Sequence, residues 1–312
     1  MNVSVIIVSI GAKDYLKLCL NSLLKQSHQP LEIIIIDNSS QPDFARNISK
    51  AYPSVKLYSS PKNLFYAAAL NKGISSSSGD FVLCLNDDVV LGKEFIREAL
   101  KGFLVDNRIG SVSGKILRSD GKVLDSAGLY LSVWRTAKEK GYGQKDSGQF
   151  EKNNYIFGAS GAAAFYRREM LESIKECGDY FDSDFGMFYE DLDISWRAHR
   201  YGWLAYYIPA ALVYHVRGGS FRPDCGIGKP VARKYLNDQL HCALIKNRYL
   251  TILKNETFCG FIAHLIPILI YDLCVWGYVV FFRPRVFKLF FNASLRQINE
   301  KRQKMRCCKK RF

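Results

Sequence analysis

The stretch Leu31-Glu32-Ile33-Ile34-Ile35-Ile36-Asp37-Asn38 decides how this chain is read. Four isoleucines in a row leave no polar face, so a strand built from them has to be covered on both sides. Val3–Val8 and Phe81–Leu85 repeat the pattern: each is too short for a helix core and each ends in polar residues. Between the first two runs, within Lys13–Lys25, Leu16, Leu20, Leu23 and Leu24 recur at helical spacing, and Ala67–Ile74 supplies a second helical stretch. The order β-α-β-α-β predicts an open α/β sheet with parallel strands. Ligands of such sheets sit at the carboxyl ends of the strands, which here carry Ser9, Asp37-Asn38 and Asn86-Asp87-Asp88.

The 312 residues are 48% hydrophobic and 23% charged, enough apolar content for a large core and outside the disordered range. The net charge of +15 is uneven, because residues 283–312 hold eleven Lys/Arg against Glu300 alone. A basic appendage beside a near-ordinary domain points to an anionic surface such as lipid and away from nucleic acid as a partner. Nine scattered cysteines without a Cys-x-x-Cys pair indicate a reducing compartment. The apolar start lacks a basic leader and a small-residue cleavage site, so it reads as a first strand and not a signal peptide. No Gly-x-Gly-x-x-Gly follows that strand, which sets aside a dinucleotide-dependent dehydrogenase.

Residues 111–160, rich in Gly, Ser and Lys and including Gly141-Tyr142-Gly143-Gln144, predict a mobile loop or sheet insertion suited to a lid or an acceptor-facing role. Helices are expected over Ala162–Ile174 and Asp191–Tyr201, the second with Asp193 and Arg197 as an i,i+4 pair. Thr257–Phe282 runs 26 residues without Lys, Arg or Glu, interrupted by His264, Pro267 and Asp272. It is long enough to span a bilayer, yet Asp272 near its middle would cost about 2.5–3.5 kcal/mol there. Tyr271, Trp276, Tyr278, Phe281 and Phe282, followed by Arg283, Arg285 and Lys288, suit a headgroup boundary. The preferred reading is a helix lying in the membrane surface, with a true span and a buried core helix as the alternatives.

Several residues could carry chemistry, and each has a structural reading beside it. Asp37 could bind a ribose or base from its strand end, or serve the turn Asp37-Asn38-Ser39-Ser40. Asn86-Asp87-Asp88 offers oxygens for a hard cation whose shell phosphates and water would complete, or a strand-ending Asx turn. Adjacent residues on an extended segment face opposite ways, so Asp88 is the candidate ligand with Asn86 as a weaker contributor on its face, and Asp87 has a separate role. Glu190-Asp191-Leu192-Asp193 could cap a helix and complement its dipole, or supply a general base. His215 closes the strand-like run Tyr206–Tyr214 as a structural imidazole or a ligand, and Arg217-Gly218-Gly219-Ser220 beyond it could touch diphosphate.

Taken in order, these segments resemble glycosyltransferase family 2, in particular its rhamnosyltransferase-like members, over roughly residues 3–250. The matching text is Val5-Ile6-Ile7-Val8-Ser9, Cys19-Leu20-Asn21-Ser22-Leu23, Ile35-Ile36-Asp37-Asn38-Ser39-Ser40, Asn63 with Asn71-Lys72-Gly73, and Leu85-Asn86-Asp87-Asp88-Val89. Further on come Gly158-Ala159-Ser160-Gly161-Ala162-Ala163, Glu190-Asp191-Leu192-Asp193 with Arg197, Gly202-Trp203, and Val213-Tyr214-His215. The resemblance implies a GT-A fold and an inverting single displacement. It puts the nucleotide-contacting acid on Asp37, the Asp-x-Asp-like metal motif on Asn86 and Asp88, the base on Asp191, and a metal-contacting histidine on His215. With it go Ser9, Asn63 and Asp87 on the donor nucleotide, and Gly161, Glu190 and Trp196 around the acceptor or sugar. The chain departs from the family pattern at Ile10-Gly11, where relatives often carry tyrosine and asparagine, and at Phe65, where they often carry glycine.

The resulting expectation is a GT-A domain over 1–250, with a nucleotide-binding half to about 110 and an acceptor half over about 111–250. An apolar helical segment with a basic tail follows over 251–312. It would use Mg2+ or Mn2+ to move a sugar, rhamnose among the candidates, from a nucleoside-diphosphate sugar to a saccharide or lipid-linked saccharide in cell-surface polysaccharide synthesis. The expected location is cytoplasmic, on the inner face of the cell membrane. The competing reading is a non-catalytic sugar-nucleotide or polysaccharide-binding protein of the same fold.

Overall fold

The computed structural model describes residues 1–11, 13–216, 236–294 and 297–300. The segment Arg217-Gly218-Gly219-Ser220 and the basic tail from 301 onward lie outside the described residues.

The chain runs β1 (Val3–Ser9), α1 (Lys13–Leu23), β2 (Glu32–Asp37), α2 (Pro42–Ala51), β3 (Lys56–Ser59), α3 (Phe65–Ser75), β4 (Phe81–Asn86), β5 (Val89–Leu91) and α4 (Phe95–Gly102). It continues through β6 (Ile109–Arg118), β7 (Leu124–Ser126), β8 (Leu129–Leu131), β9 (Ala137–Glu139), β10 (Asn154–Ile156), β11 (Ala163–Arg167), α5 (Arg168–Ser173), α6 (Glu190–Arg200) and β12 (Leu204–His215). The helices α7 (Asp238–Asn255), α8 (Phe258–Ala263), α9 (Leu265–Phe282) and α10 (Pro284–Leu289) follow. The large sheet has the order β10-β12-β6-β11-β4-β1-β2-β3, with β5 on β12 and β7 on β6. β1 pairs in parallel with both β2 and β4, and β2 with β3, whereas β11 is antiparallel to β4 and β6.

Two apolar layers account for the unbroken hydrophobic strands. Val3, Val5, Ile7, Ile33, Ile35, Leu83 and Leu85 face a layer closed by Leu16, Leu20, Phe44 and Phe95 of α1, α2 and α4. Their neighbours Ile6, Val8, Ile34, Ile36, Val82 and Cys84 face another, closed by Ala67 and Leu70 of α3, Met170 of α5 and Ile194 of α6. Each fully buried Ile or Leu contributes roughly 1.5–3 kcal/mol, so a one-residue slip in any of these strands would exchange two complete layers.

One expectation is corrected. Ala162–Ile174 is not one helix: Ala163–Arg167 is strand β11, and the helix begins at Arg168. Residues 111–160, expected as a mobile loop or a sheet insertion, are a sheet insertion: Ile109–Arg118 is a ten-residue strand next to β11 and β12, and Leu124 and Gln144 are joined by a 2.8 Å main-chain hydrogen bond. Ser111, Ser113, Gly114 and Lys115 conceal the strand in the sequence. Lys115 is nevertheless buried, because its ammonium donates to Asp146 at 3.0 Å and to Glu151.

The chain forms two compact units. One comprises Met1–Tyr130, Glu139–Gly186 and the chain from Glu190 through β12; the other takes Leu131–Lys138, Met187–Tyr189 and the C-terminal helices. In the second unit Asn237 caps α7 by accepting the Leu240 N–H at 2.8 Å, and Thr257 caps α8 through Gly260 at 3.0 Å. Asp272 of α9 is held by the buried guanidinium of Arg248, whose Nη2 also donates to the Trp134 carbonyl at 2.8 Å. Pro267 falls in the first turn of α9, where a missing N–H costs nothing. Only 17% of α9 is buried, and Ile266, Leu269, Leu273, Phe281 and Phe282 are exposed.

Candidate active site

The register of the parallel strands puts the polar strand ends side by side. Ser9 lies opposite Asp37 on β2, and Val8 lies opposite Asn86 on β4. β1 is also where the sheet order reverses, with later strands on one side and β2 on the other, and such switch points open a crevice at the carboxyl ends. Asp37 is buried there; its carboxylate accepts the Ser39 N–H at 2.8 Å and the Ser59 hydroxyl at 3.2 Å. Asn38 takes the Leu64 N–H and donates to the Phe65 carbonyl, each at 3.3 Å, which anchors the Asn63 loop to the end of β2. Asn63 itself is exposed and accepts the Phe65 N–H at 2.7 Å. Phe65 has φ of 60°, a left-handed conformation that glycine adopts freely, and this is the position at which the sequence departs from the family pattern.

Asp87 and Asp88 form the turn between β4 and β5, where an extended segment was expected, and their carboxyl groups take different partners. The Ser9 hydroxyl donates to Asp87 Oδ2 at 2.6 Å. Burial and the neighbouring Asp88 charge push the Asp87 carboxyl up to about 6, against the lowering effect of Ser9. Asp88 is buried, and its Oδ1 lies 3.2 Å from His215 Nε2. The two share a ladder: β12 pairs antiparallel with β5, His215 stands opposite Val89, and the Val216 N–H donates to the Asp88 carbonyl at 2.9 Å. His215 Nδ1 lies 2.8 Å from Asp125 Oδ2. Burial opposes a charge on the ring, but Asp125 and Asp88 outweigh it and raise the imidazole to about 9.

Asp191 reaches the same end of the sheet through β11. The Asn86 N–H donates to the Ala162 carbonyl at 3.1 Å, and the neighbouring Gly161 N–H donates to Asp191 Oδ2 at 3.3 Å. Asp191 Oδ1 also accepts the Leu192 N–H at 2.8 Å in the first turn of α6, and burial raises its carboxyl above the usual range. A Cβ at position 161 would stand 3.3 Å from Asp191 Oδ2. Tyr66 donates its hydroxyl to the Gly161 carbonyl at 3.1 Å. Glu190 is buried beside Asp191, and Trp196, also buried, packs edge-on against Phe157 further along α6.

Ser9, Asp37, Asn86, Asp87, Asp88, Gly161, Asp191 and His215 are thereby linked by strand register and hydrogen bonds at one end of the sheet, with Asn63 on the loop tied to β2. Asp88 and His215 could hold a cation: cis ligands about 2.1 Å from an octahedral ion stand ~3.0 Å apart, close to the observed 3.2 Å. Among the described residues no group of three or more His, Cys, Asp and Glu side chains forms a ready cage for a metal ion. Asp125 escaped the sequence reading: a lone aspartate in the Gly- and Ser-rich stretch carries no local signal, and the β6–β7 pairing alone brings it under His215. Glu139 escaped it likewise, in a segment read as a mobile loop or sheet insertion.

A mixed α/β sheet with acidic strand ends at its switch point, a histidine joined to one of them and a carboxylate at a facing helix start define a glycosyltransferase of the GT-A fold. A family model for glycosyl transferase family 2 matches residues 4–175, and the chain belongs to that family. It is 26% identical over 249 residues to an N-acetylglucosaminyl-diphospho-decaprenol L-rhamnosyltransferase of Mycobacterium tuberculosis, covering 70% of this chain and 78% of that one. Among solved structures it superposes on Staphylococcus aureus TarS 1–349 in complex with UDP-GlcNAc with a TM-score of 0.61, at 16% identity over 96% of this chain and 82% of that one. A mannosyltransferase from Pyrobaculum calidifontis, solved with GDP-Man and Mn2+, gives 0.55 at 16% identity over 94% and 74%. Other matched proteins are longer, and the chain spans about half their length.

Proposed function

We propose that the chain transfers a sugar, with inversion, from a nucleoside-diphosphate sugar to a saccharide or lipid-linked saccharide used in cell-surface polysaccharide synthesis. The convergence of Asp37, Ser9 and the Asn86–Asp88 motif at adjacent strand ends, with His215 3.2 Å from Asp88, carries this reading. Asp37, Ser9, Asn63 and Asp87 bind the nucleotide. Asp88 and His215, with Asn86 contributing weakly, would hold Mg2+ or Mn2+; Asp125 fixes the ring through Nδ1, which leaves Nε2 toward Asp88. When bound, the cation neutralises the charge that collects on the departing diphosphate. Asn86 brings one negative charge fewer than a second aspartate would, so the grip on the ion is correspondingly weaker.

In the chemical step the acceptor oxygen forms a bond to the anomeric carbon while the bond from that carbon to the diphosphate oxygen breaks, and the diphosphate keeps the electron pair. Asp191 takes the acceptor proton. Its raised proton affinity suits it to this, making it a stronger base than an exposed aspartate. Gly161, Glu190 and Trp196 shape the acceptor or sugar pocket. Rhamnose is the first sugar to test, given the mycobacterial relative.

The C-terminal helices dock on anionic lipid at the inner face of the cell membrane. Pairing half-buried Asp272 with the buried Arg248 offsets its charge on α9, and an 18-residue helix is about 27 Å long, short of the ~30 Å hydrocarbon core. A helix lying in the interface fits both facts. A screen of nucleoside-diphosphate sugars with Mg2+ and Mn2+, read by release of nucleoside diphosphate, tests the central claim. Metal-stimulated release from at least one donor is expected, and none from any donor with any divalent ion would overturn it.

A further inference from the structure

Arg118 ends β6, and on the parallel ladder it stands opposite His215 of β12, so the two side chains leave the same face at the same end of the sheet. One carboxylate lies between them. Asp125 Oδ2 is 2.8 Å from His215 Nδ1, while its Oδ1 is 3.9 Å from Arg118 Nε, an ion pair too long for a hydrogen bond. Tyr142 lies against the guanidinium, with 5.2 Å between Cζ and the ring centroid. The turn that presents this ring has a left-handed glycine on either side, Gly141 at φ 75° and Gly143 at φ 77°, and the Gly143 N–H donates to the Leu124 carbonyl at 2.9 Å, next to Asp125.

The guanidinium is held in place but not satisfied. Its side chain is only 14% exposed, and Nε is buried with no hydrogen-bond partner among the described residues. The arginines that serve the fold behave otherwise: Arg167 Nε donates to the Ile109 carbonyl at 3.0 Å, Arg168 Nε to that of Gly79, and Arg197 Nε to Asp193 at 3.0 Å. A buried donor without an acceptor lowers stability, and an oxygen brought by a ligand would remove that cost. Carboxylate and phosphate are the groups that a guanidinium edge matches two oxygens at a time, and phosphate is the one that accompanies a divalent ion.

We propose that Arg118 is a phosphate-binding residue of the transfer site, its guanidinium, stacked on Tyr142 beside the Asp88–His215 pair, gripping the oxygens of a diphosphate. This rests on the reading of Asp88 and His215 as holders of a divalent ion. A diphosphate carries more charge than one such ion neutralises, and Arg118 supplies the next fixed positive charge along the same end of the sheet. Two substrates of the proposed reaction bring this chemistry: the nucleoside-diphosphate half of the donor, and the phosphate that joins a saccharide to a lipid in an acceptor.

Equilibrium binding by the full-length protein, without turnover, tests the assignment and separates the two sources. Mn2+ is titrated by electron paramagnetic resonance with no anion present, and inorganic pyrophosphate, UDP, GDP and geranyl diphosphate are then titrated by calorimetry at fixed Mn2+. Arg118→Gln should bind Mn2+ alone as wild type does, yet hold pyrophosphate and one of the two substrate classes about 10- to 100-fold more weakly. Arg118→Lys should recover part of the loss, since an ammonium brings the charge without the fork. A loss on UDP or GDP assigns the grip to the donor, and a loss on geranyl diphosphate assigns it to a lipid-linked acceptor; both support the proposal. Wild type that binds none of these phosphates, or Arg118→Gln that binds all of them unchanged, overturns it. So does an equal loss of Mn2+ affinity in the absence of any anion, because Arg118 would then act only through Asp125 on His215. A wild type that takes up no Mn2+ sinks the ion reading instead, and pyrophosphate alone then decides: weaker binding by Arg118→Gln supports the role, and unchanged binding overturns it.

Discussion

His215 Nε2 stands 3.2 Å from Asp88 Oδ1, while the same ring, through Nδ1, is 2.8 Å from Asp125. The imidazole is thus committed at both nitrogens, and Asp125 on one side dictates which nitrogen is offered on the other. Asp88→Ala and His215→Ala should each weaken Mn2+ binding by at least about tenfold, and Asp125→Asn by about 10- to 100-fold. Titration of Mn2+ by electron paramagnetic resonance in the presence of a nucleoside diphosphate measures this; unchanged binding in Asp88→Ala would remove the site.

Asp191→Asn keeps the shape but cannot take a proton, and its amide oxygen can accept only one of the Leu192 and Gly161 N–H groups. Transfer should fall by about 10² to 10⁴ while binding of the nucleotide donor, followed by calorimetry, stays near the wild-type value. Loss of donor binding in parallel with rate would show that the residue serves the nucleotide instead.

The pair Asp193–Arg197 is buried on both sides at 3.0 Å, and Arg197 also donates to the carbonyls of Ile174 and Tyr180, both at 2.7 Å. Arg197→Ala strands a buried carboxylate and two carbonyls. Urea unfolding should register a loss of about 3–5 kcal/mol, and a loss under 1 kcal/mol would mean water replaces the guanidinium without strain.

Glu32, buried at the start of β2, is held down to about 2; burial acts to raise it, and Lys56, Ser4 and Ser78 more than compensate. A carboxyl lowered in the folded state stabilises above its unfolded value and loses that contribution as pH falls through the folded one. The contribution should therefore be complete above about pH 4.5 and disappear on the way to pH 2. Melting temperatures of Glu32→Gln should fall less steeply than wild type across that window, and parallel curves would contradict the linkage.

On the lipid side, the full-length protein should float with anionic liposomes at low salt and less at high salt. Leu273→Glu with Phe281→Glu should reduce flotation on α9, both residues being exposed there. Flotation of wild type no better than a soluble control would remove the membrane surface from the account.

How far the sequence could be read follows from what each residue contributes locally. The isoleucine run, the helix of Leu16 and Leu20, and the acids after β2 and β4 were legible because burial on two faces and a strand-to-loop change both leave marks over a few residues. β6 was not, since Ser, Gly and a buried Lys can line a strand only when acids far along the chain answer them. β11 was mistaken for helix because its run Ala163-Ala164-Phe165-Tyr166 lacks alternation, its two faces both being covered. Asp125 and Glu139 act through partners at other sheet edges, and no neighbouring residue announces either.

The ladder that joins Val216 to Asp88 has one more consequence. Because the two candidate ligands are fastened by main-chain hydrogen bonds between strands, their spacing exists before any ion arrives. Cation capture then demands little ordering of the chain. It should proceed with a small entropy change and rapid exchange, so the enzyme can sample ions and spent nucleotide quickly without folding and unfolding a loop at each turnover.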